Sequence, residues 1–98
     1  MSDNLSFGLE GKTVLLTGAT GAIGGAVAKG FSEAGSKVAV VDIDQAQCDE
    51  FAQELGPQHA GFGVDLTDTA RLPSLVKKID STLGKIDVLV NIAGVIKR

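Results

Sequence analysis

The sequence of 98 residues contains no tyrosine, no tryptophan and a single cysteine, Cys48. One cysteine excludes an intramolecular disulfide framework and is typical of proteins from a reducing compartment. The amino terminus lacks the basic segment followed by an apolar one that marks a secretory signal, and no apolar run reaches membrane-spanning length. We therefore expect a cytoplasmic protein that has no membrane partner.

Positive charge is also scarce, since 9 Lys and Arg residues stand against 12 Asp and Glu residues and give a formal net charge of −3. This balance, in a chain without a basic patch, argues against a nucleic-acid partner. The only histidine, His59, has no second ligand at metal-binding spacing, so we expect a solvated side chain and no metal site. At this length the chain forms one domain at most, which we assign to residues 1–98 with a polar lead-in at residues 1–11.

Glycine, in contrast, is abundant, and three of the 13 glycines lie in the segment Thr-Gly-Ala-Thr-Gly-Ala-Ile-Gly at residues 17–24. An apolar run precedes this segment and a small-residue helical pattern follows it, so the order is strand, glycine-rich turn, helix. Such a turn presents bare backbone N–H groups at the positive end of a helix, which suits a phosphate. One glycine allows a sharp reversal, one the approach of a pyrophosphate, and one close packing of helix on strand. Taken alone, the segment also fits a tight turn without a ligand.

Hydrophobic patterning divides the remaining chain into alternating strands and helices. Continuous apolar runs predict buried strands at residues 12–17, 38–41 and 86–90, and a weaker one at residues 60–64. Asp44 is a suitable cap for the second helix, Gly35 and Gly84 end the first and third helices, and the third begins near Leu72. The predicted apolar faces are Ile23, Val27, Phe31 and Ala34 in the first helix, Cys48, Phe51, Ala52 and Leu55 in the second, and Leu72, Leu75, Val76, Ile79 and Leu83 in the third.

The resulting βαβαβαβ alternation predicts an α/β fold with a doubly wound parallel sheet of the Rossmann type, because strands joined by helical crossovers lie parallel. Right-handed crossovers give the strand order 3-2-1-4, with the glycine turn at the switch point. The first two helices then cover one face of the sheet and the third helix covers the other. The fourth strand is an open edge in this partial sheet, and we expect apolar surface beside it.

Acidic residues follow the second and third predicted strands at the edge where open α/β sheets bind ligands. Asp42 lies 18 residues beyond Gly24, and a carboxylate there can accept hydrogen bonds from both hydroxyls of an adenosine ribose. Asp42 would repel a 2′-phosphate, so it favours NAD over NADP. Asp65 is a candidate acceptor for the adenine amino group, and we expect it to be free because Thr67 or Asp68 can cap the next turn.

The sequence resembles the short-chain dehydrogenase/reductase family over residues 8–98. The resemblance is carried by residues 11–12, 17–24, 42, 64–68 and, most specifically, 84–94, which are similar to the surroundings of the family's Asn-Asn-Ala-Gly motif. Two positions depart from the family pattern, since Ile92 replaces the second Asn and Ala22 replaces a glycine. The resemblance, together with the residues above, implies this cofactor-binding set: Gly18, Thr20, Gly21, Ala22, Ile23, Gly24, Asp42, Ile43, Asp65, Leu66, Asn91, Ala93 and Gly94.

The same resemblance implies the activity of a longer parent protein. Family members transfer hydride between a nicotinamide and a secondary alcohol or ketone, using a Tyr-x-x-x-Lys pair with a preceding serine and a further asparagine. The resemblance implies that these catalytic residues lie beyond position 98, and the chain has no tyrosine. We therefore expect it to contain no catalytic residue of this set, to be the amino-terminal part of such an enzyme and to be inactive by itself. The resemblance further suggests that the full-length protein is a dimer or a tetramer.

Two alternatives remain open at this point. The chain as it stands is also interpretable as a non-catalytic nucleotide-binding or interaction module, which the missing tyrosine supports. The spacing Gly-x-x-Gly-x-x-Gly at residues 18–24 is more similar to extended-type nucleotide-sugar epimerases and dehydratases, of which the chain would be a fragment.

Overall fold

A computed structural model describes residues 8–92 of the chain. Strands and helices alternate along it as predicted, with boundaries that differ by one or two residues. The elements are β1 (Thr13–Thr17), α1 (Ala22–Glu33), β2 (Lys37–Asp42), α2 (Gln45–Leu55), β3 (Ala60–Gly63), a short 3-10 turn (Thr69–Arg71), α3 (Leu72–Thr82) and β4 (Ile86–Asn91).

The four strands form one parallel sheet in the order β3-β2-β1-β4, which confirms the predicted topology. Thr17 at the end of β1 pairs with Val41 on one side and with Asn91 on the other. Asp42 pairs with Gly63 at the end of β3. The register therefore brings the carboxyl ends of all four strands to one edge of the sheet, next to the glycine-rich turn.

Two hydrophobic layers hold the sheet, one on each face, as predicted from the crossovers. Alternate residues of β1 and β2 enter opposite layers because successive side chains of a strand point to opposite faces. The layer under α1 and α2 contains Leu16, Val38, Val40, Cys48 and Ala52, and the layer under α3 contains Leu15, Ala39, Val41, Leu75 and Ile79. Both layers are centred on β1 and β2, which explains why these two strands are buried almost from end to end.

Cys48 is a fully buried core residue, as predicted from its position on the apolar stripe of α2. Its thiol donates to the carbonyl oxygen of Phe62 at 3.6 Å. Burial raises the pKa of the Cys48 thiol, so the protonated form is favoured. The thiol is thus in the state that suits packing rather than reaction.

Helix α1 approaches the sheet through small residues, and this overturns the prediction for Ile23. Ile23 is 62% exposed, whereas Gly24 and Ala28 are the buried positions of the helix. A Cβ atom on Gly24 would lie 2.0 Å from the carbonyl oxygen of Gly18, so only glycine permits this approach. The close contact rotates the helix so that Gly24 takes the place predicted for Ile23. Val76 of α3 was also predicted to face the core, but it is 47% exposed.

The helix ends follow the predicted signals. The Asp44 carboxylate accepts a hydrogen bond from the N–H of Gln47 at 3.2 Å, which confirms Asp44 as the cap of α2. Gly35 and Gly84 follow α1 and α3 with φ values of +89° and +114°, a conformation that side-chain-bearing residues rarely adopt. Pro73 lies in the first turn of α3, where its missing N–H is tolerated.

His59 is buried, contrary to the expectation of a solvated side chain, with 8% of its surface exposed. Its Nδ1 atom accepts from the N–H of Val38 at 2.9 Å, and its Nε2 atom lies 2.9 Å from the hydroxyl oxygen of Ser32. Because Nδ1 acts as an acceptor, Nε2 carries the proton and donates it to Ser32. Burial lowers the pKa of the imidazole, which is consistent with this neutral form.

The two edges of the sheet differ. On the outer edge of β3, the Gln45 amide donates to the carbonyl oxygen of Gly61 at 3.0 Å and accepts from the N–H of Gly63 at 2.7 Å. On the other side, β4 pairs with β1 alone within residues 8–92, and Leu89 is 67% exposed. The expectation of an open edge with apolar surface at the fourth strand is thus met in the described part of the chain. No helix within it is both long enough and apolar enough to cross a membrane.

Candidate nucleotide-binding site

The loop between β1 and α1 is attached to the end of the neighbouring strand. The N–H groups of Gly18 and Ala19 donate to the carbonyl oxygen of Val41 at 3.0 and 3.4 Å. Gly18 has a φ of +72°, which favours glycine and lets the chain reverse directly after β1. The loop is therefore held above the carboxyl edge of the sheet, next to Asp42.

Gly21 differs from the other two glycines of the loop, because nothing within residues 8–92 requires a glycine there. Its backbone is extended, with φ −77° and ψ 173°, and a Cβ atom would meet only the carbonyl oxygen of Gly18 at an ordinary 3.7 Å. Gly21 is also the residue before α1, and it has no side chain with which to cap the helix. The first turn of α1 thus faces the loop with backbone N–H groups, the arrangement that binds anions in proteins.

The Asp42 carboxylate accepts three hydrogen bonds, two of which come from the loop. Its Oδ2 atom accepts from the hydroxyl of Thr20 at 2.6 Å and from the N–H of Thr20 at 3.2 Å. Its Oδ1 atom accepts from the N–H of Ile43 at 2.8 Å. Partial burial raises the pKa of Asp42, but the hydrogen bonds from Thr20 and Ile43 outweigh it, so that the pKa lies below its usual value and the carboxylate is ionised at neutral pH.

A cavity of about 490 Å³ lies between the loop, the start of α1 and the end of β2. It is lined by Gly18, Thr20, Gly21, Ala22, Ile23, Gly24, Asp42 and Ile92. Seven of these eight residues belong to the cofactor-binding set predicted from the sequence. Their juxtaposition follows from the parallel sheet, since β1 and β2 end at the same edge.

Asp65 lies at the same edge but is not free, contrary to the prediction. Its Oδ1 atom accepts from the hydroxyl of Thr67 at 2.6 Å and from the N–H of Thr67 at 2.9 Å. These two bonds lower the pKa of the exposed Asp65 carboxyl. Asp65 itself therefore caps the turn that Thr67 or Asp68 was expected to cap. The neighbouring Leu66 packs against the hydrophobic layer under α3 and does not line the cavity.

Asn91 joins the ends of β4 and β1. Its Oδ1 atom accepts from the hydroxyl of Thr17 at 2.7 Å, and the N–H of Ile92 donates to the carbonyl oxygen of Thr17 at 3.2 Å. Ile92, at the position that departs from the family pattern, contributes an apolar wall to the cavity. Ile43, directly after Asp42, is 69% exposed. Ala93 and Gly94 lie outside the described residues.

Two features of the site were not found from the sequence. The hydrogen bonds between Thr20 and Asp42 join residues 22 positions apart, and they depend on the exact height of the loop above β2. The contribution of Ile92 to the cavity wall was not predicted either. Strand order indicates that β1 lies between β2 and β4, but it does not give the side-chain contacts at their ends. Within residues 8–92, no group of three or more His, Cys, Asp or Glu residues is arranged to hold a metal ion.

Comparison with known proteins identifies the family. Residues 12–98 match the sequence profile of the family described as short chain dehydrogenase. The chain therefore belongs to the short-chain dehydrogenase family, and the order of its parallel sheet is that of the Rossmann-type fold.

Similar proteins include two named enzymes of sugar alcohols. The chain is 36% identical over 98 residues to D-threitol dehydrogenase of Mycolicibacterium smegmatis and 39% identical over 87 residues to galactitol 2-dehydrogenase of Agrobacterium fabrum. The aligned parts cover 97% and 89% of this chain, but 38% and 34% of those two proteins. The chain thus spans about a third of the length of the curated relatives that it matches.

A solved structure supports the same conclusion on the fold. The crystal structure of 3-ketoacyl-(acyl-carrier-protein) reductase from Brucella melitensis, complexed with NADH, superposes with a TM-score of 0.78. It is 37% identical to this chain, and the match covers 83% of this chain and 33% of that one. The chain thus corresponds to the nucleotide-binding portion of a dehydrogenase of this family.

Proposed function

We propose that this chain binds NAD(H), with the β1–α1 loop on the diphosphate and Asp42 on the adenosine ribose. One observation carries the proposal: an ionised carboxylate and an uncapped helix start with a bare glycine, Gly21, line the same cavity. The helix start suits the negative diphosphate, and the carboxylate suits a hydroxyl donor of the ribose. The NADH bound to the Brucella melitensis reductase supports a nicotinamide cofactor.

The proposal extends to the choice of NAD over NADP. Asp42 remains ionised at neutral pH because its hydrogen bonds lower its pKa, so a 2′-phosphate placed beside it meets a like charge. The loop from Gly18 to Gly24 contains no lysine or arginine that would neutralise such a phosphate. Binding of the larger, more negative cofactor is then disfavoured by electrostatic repulsion.

The remaining predicted residues are assigned to the two ends of the cofactor. Ile43, 69% exposed beside Asp42, provides an apolar surface for the adenine ring, with Asp65 and Leu66 beyond it. The second carboxylate oxygen of Asp65, which is not the one bound by Thr67, is the proposed acceptor for the adenine amino group. Asn91, Ala93 and Gly94, after β4, are assigned to the path of the cofactor toward the nicotinamide.

For the full-length protein we propose an NAD-dependent oxidoreductase that transfers hydride between the nicotinamide and a secondary alcohol or ketone. The named relatives that act on threitol and galactitol support this class of substrate. The cofactor supplies the redox chemistry, while the protein positions it. The 98-residue chain has no tyrosine to serve as the general acid/base of this family, so we expect it to bind the cofactor without turnover.

Calorimetric titration of the chain with NAD, NADH and NADP tests the proposal. We expect saturable binding of NAD and NADH and much weaker binding of NADP. Asp42→Asn keeps the shape of the side chain but removes its charge, and it should reduce the difference in binding affinity between NAD and NADP. A titration in which the folded chain shows no saturable signal with NAD or NADH would refute the proposal.

A further inference from the structure

Thr20 shares its only hydroxyl proton with Asp42. The Thr20 hydroxyl oxygen lies 2.6 Å from Oδ2 of Asp42, and an ionised carboxylate can only accept hydrogen bonds. The proton on the Thr20 oxygen is therefore directed at Asp42. Thr20 and Asp42 both line the cavity, and the Thr20 oxygen presents only its lone pairs to it.

The carboxylate of Asp42 is nearly saturated as an acceptor. It accepts from Ile43 and twice from Thr20, and a carboxylate has about four lone-pair positions. Two of the three donors are backbone N–H groups, which cannot turn away without moving the chain. The carboxylate thus has room for one further hydrogen bond, whereas the two hydroxyls of a ribose require two acceptors.

We propose that Thr20 is a specificity-determining residue, which accepts a hydrogen bond from one ribose hydroxyl while Asp42 accepts one from the other. This inference rests on the proposed function, because it needs a nucleotide ribose in the cavity. No existing hydrogen bond has to break, since Thr20 donates to Asp42 and accepts from the ligand at the same time. Thr20 and Asp42 thus form an acceptor pair that binds the two hydroxyls of the ribose.

The acceptor pair also acts against NADP, because a phosphate needs donors. The Thr20 hydroxyl, unlike that of a threonine with a free proton, offers none to a 2′-phosphate while Asp42 holds its proton. If the Asp42 carboxylate is removed, the Thr20 hydroxyl is free to donate its proton to a 2′-phosphate. Thr20 should then favour the binding of NADP instead of NAD.

A cycle of variants measured by calorimetry tests this change of role. In the unmodified background, Thr20→Val removes the hydroxyl, while the methyl group in its place covers the position freed on Oδ2 of Asp42. We therefore expect NAD affinity to fall about two- to tenfold, the range for one hydrogen bond. Thr20→Ser keeps the hydroxyl and should retain NAD affinity. NADP affinity should not fall with Thr20→Val.

The second half of the cycle uses Asp42→Ala as its background. Here we expect Thr20→Val to weaken NADP binding about two- to tenfold, because the released hydroxyl now donates to the phosphate. Circular dichroism of each variant checks that the fold is retained, and a variant that unfolds is replaced by Thr20→Ala for the same comparison.

The outcomes separate this inference from the proposed function. If the unmodified chain binds NAD but Thr20→Val binds it equally well, the inference is wrong and the proposed function stands. The inference is equally wrong if Thr20→Val and Thr20→Ser lose NAD affinity alike, or if Thr20→Val has the same effect on NADP in both backgrounds. If the unmodified chain binds neither cofactor, both fail.

Discussion

The Nδ1 atom of His59 accepts the hydrogen bond that the N–H of Val38 donates, at 2.9 Å, while the other ring nitrogen lies 2.9 Å from the hydroxyl oxygen of Ser32. His59 precedes β3, Val38 lies in β2, and Ser32 lies near the end of α1. One neutral imidazole thus joins three elements. Protonation of Nδ1 would place a hydrogen against the N–H of Val38 and break the first of these bonds.

We expect stability to depend on the protonation of His59. Burial lowers its pKa in the folded chain from 6.5, so between the two pKa values the unfolded chain binds more protons. The stabilisation is fully present above about pH 6.5 and is lost as the pH falls below that value. Urea unfolding at a series of pH values from about 5 to about 8, which spans the ordinary titration of histidine, measures this loss. His59→Asn, which keeps an acceptor but does not titrate, should flatten the profile. Equal slopes for the two proteins would contradict this role of His59.

Substitution by alanine should lower the free energy of unfolding strongly at Gly24 and only slightly at Gly21. Gly24→Ala places a Cβ atom 2.0 Å from the Gly18 carbonyl oxygen, and we expect a loss of about 1–3 kcal/mol or more in the free energy of unfolding. Gly21→Ala meets only an ordinary contact, so its effect on unfolding should stay within about 1 kcal/mol, the range for changing a residue at a helix start.

The two glycine variants also differ in their expected effect on cofactor binding. Gly21→Ala should weaken NAD binding while the chain stays folded, because the methyl group occupies the approach of the diphosphate. Urea unfolding and calorimetry on the same samples separate the two effects. An unchanged NAD affinity in Gly21→Ala would remove this glycine from the proposed site.

Gln45 protects the outer edge of the sheet. Its amide holds the carbonyl of Gly61 and the N–H of Gly63, the groups that an additional strand would pair with. Gln45→Ala should lower the free energy of unfolding by about 0.5–1.5 kcal/mol, the net contribution of a typical hydrogen bond, because water can satisfy these exposed backbone groups. It should also increase association, which light scattering detects. Gln53→Ala, an exposed residue of the same helix, is the matched control and should change neither quantity. Equal behaviour of both variants would show that Gln45 has no protective role.

Asp87 completes the pairing of β1 with β4 where the register shifts between Thr13 and Val14. Its carboxylate accepts a hydrogen bond from the N–H of Thr13 at 3.0 Å. Thr13 is buried, with 2% of its surface exposed. Asp87→Ala should cost about 1–3 kcal/mol in the free energy of unfolding, because a buried N–H loses its partner. Asp87→Asn keeps an acceptor oxygen and should cost less. If both variants were as stable as the unmodified chain, this bond would be dispensable.

The sequence was sufficient to predict the order of the strands and seven of the eight residues that line the loop cavity. Continuous apolar runs identify β1 and β2, and the parallel arrangement alone brings Asp42 next to Gly18 and Thr20. These features depend on hydrophobic periodicity and on topology, both of which follow from local stretches of the chain.

The features that were missed depend on individual contacts that hydrophobic periodicity does not record. His59 finds its partners 21 and 27 residues away, and no local pattern marks either one. Ile23 is exposed because the backbones of Gly24 and Gly18 come into contact, a consequence of small residues that a hydrophobic stripe does not record. Asp65 was predicted to be free because Thr67 is also a possible cap, whereas in the structure Thr67 is its donor.

The packing of α2 on β3 also determines how the sheet can grow. Cβ atoms on Gly61 and Gly63 would lie 2.4 and 2.5 Å from the backbone of Cys48 and Gln45, so the helix rests directly on the strand and holds Gln45 over its rim. Within residues 8–92, the Gln45 side chain occupies the backbone groups at the outer edge of β3. In the same part of the chain, the outer edge of β4 has unpaired backbone groups beside the exposed Leu89. We therefore expect any further strand to join this sheet at β4, so that the sheet grows in one direction only.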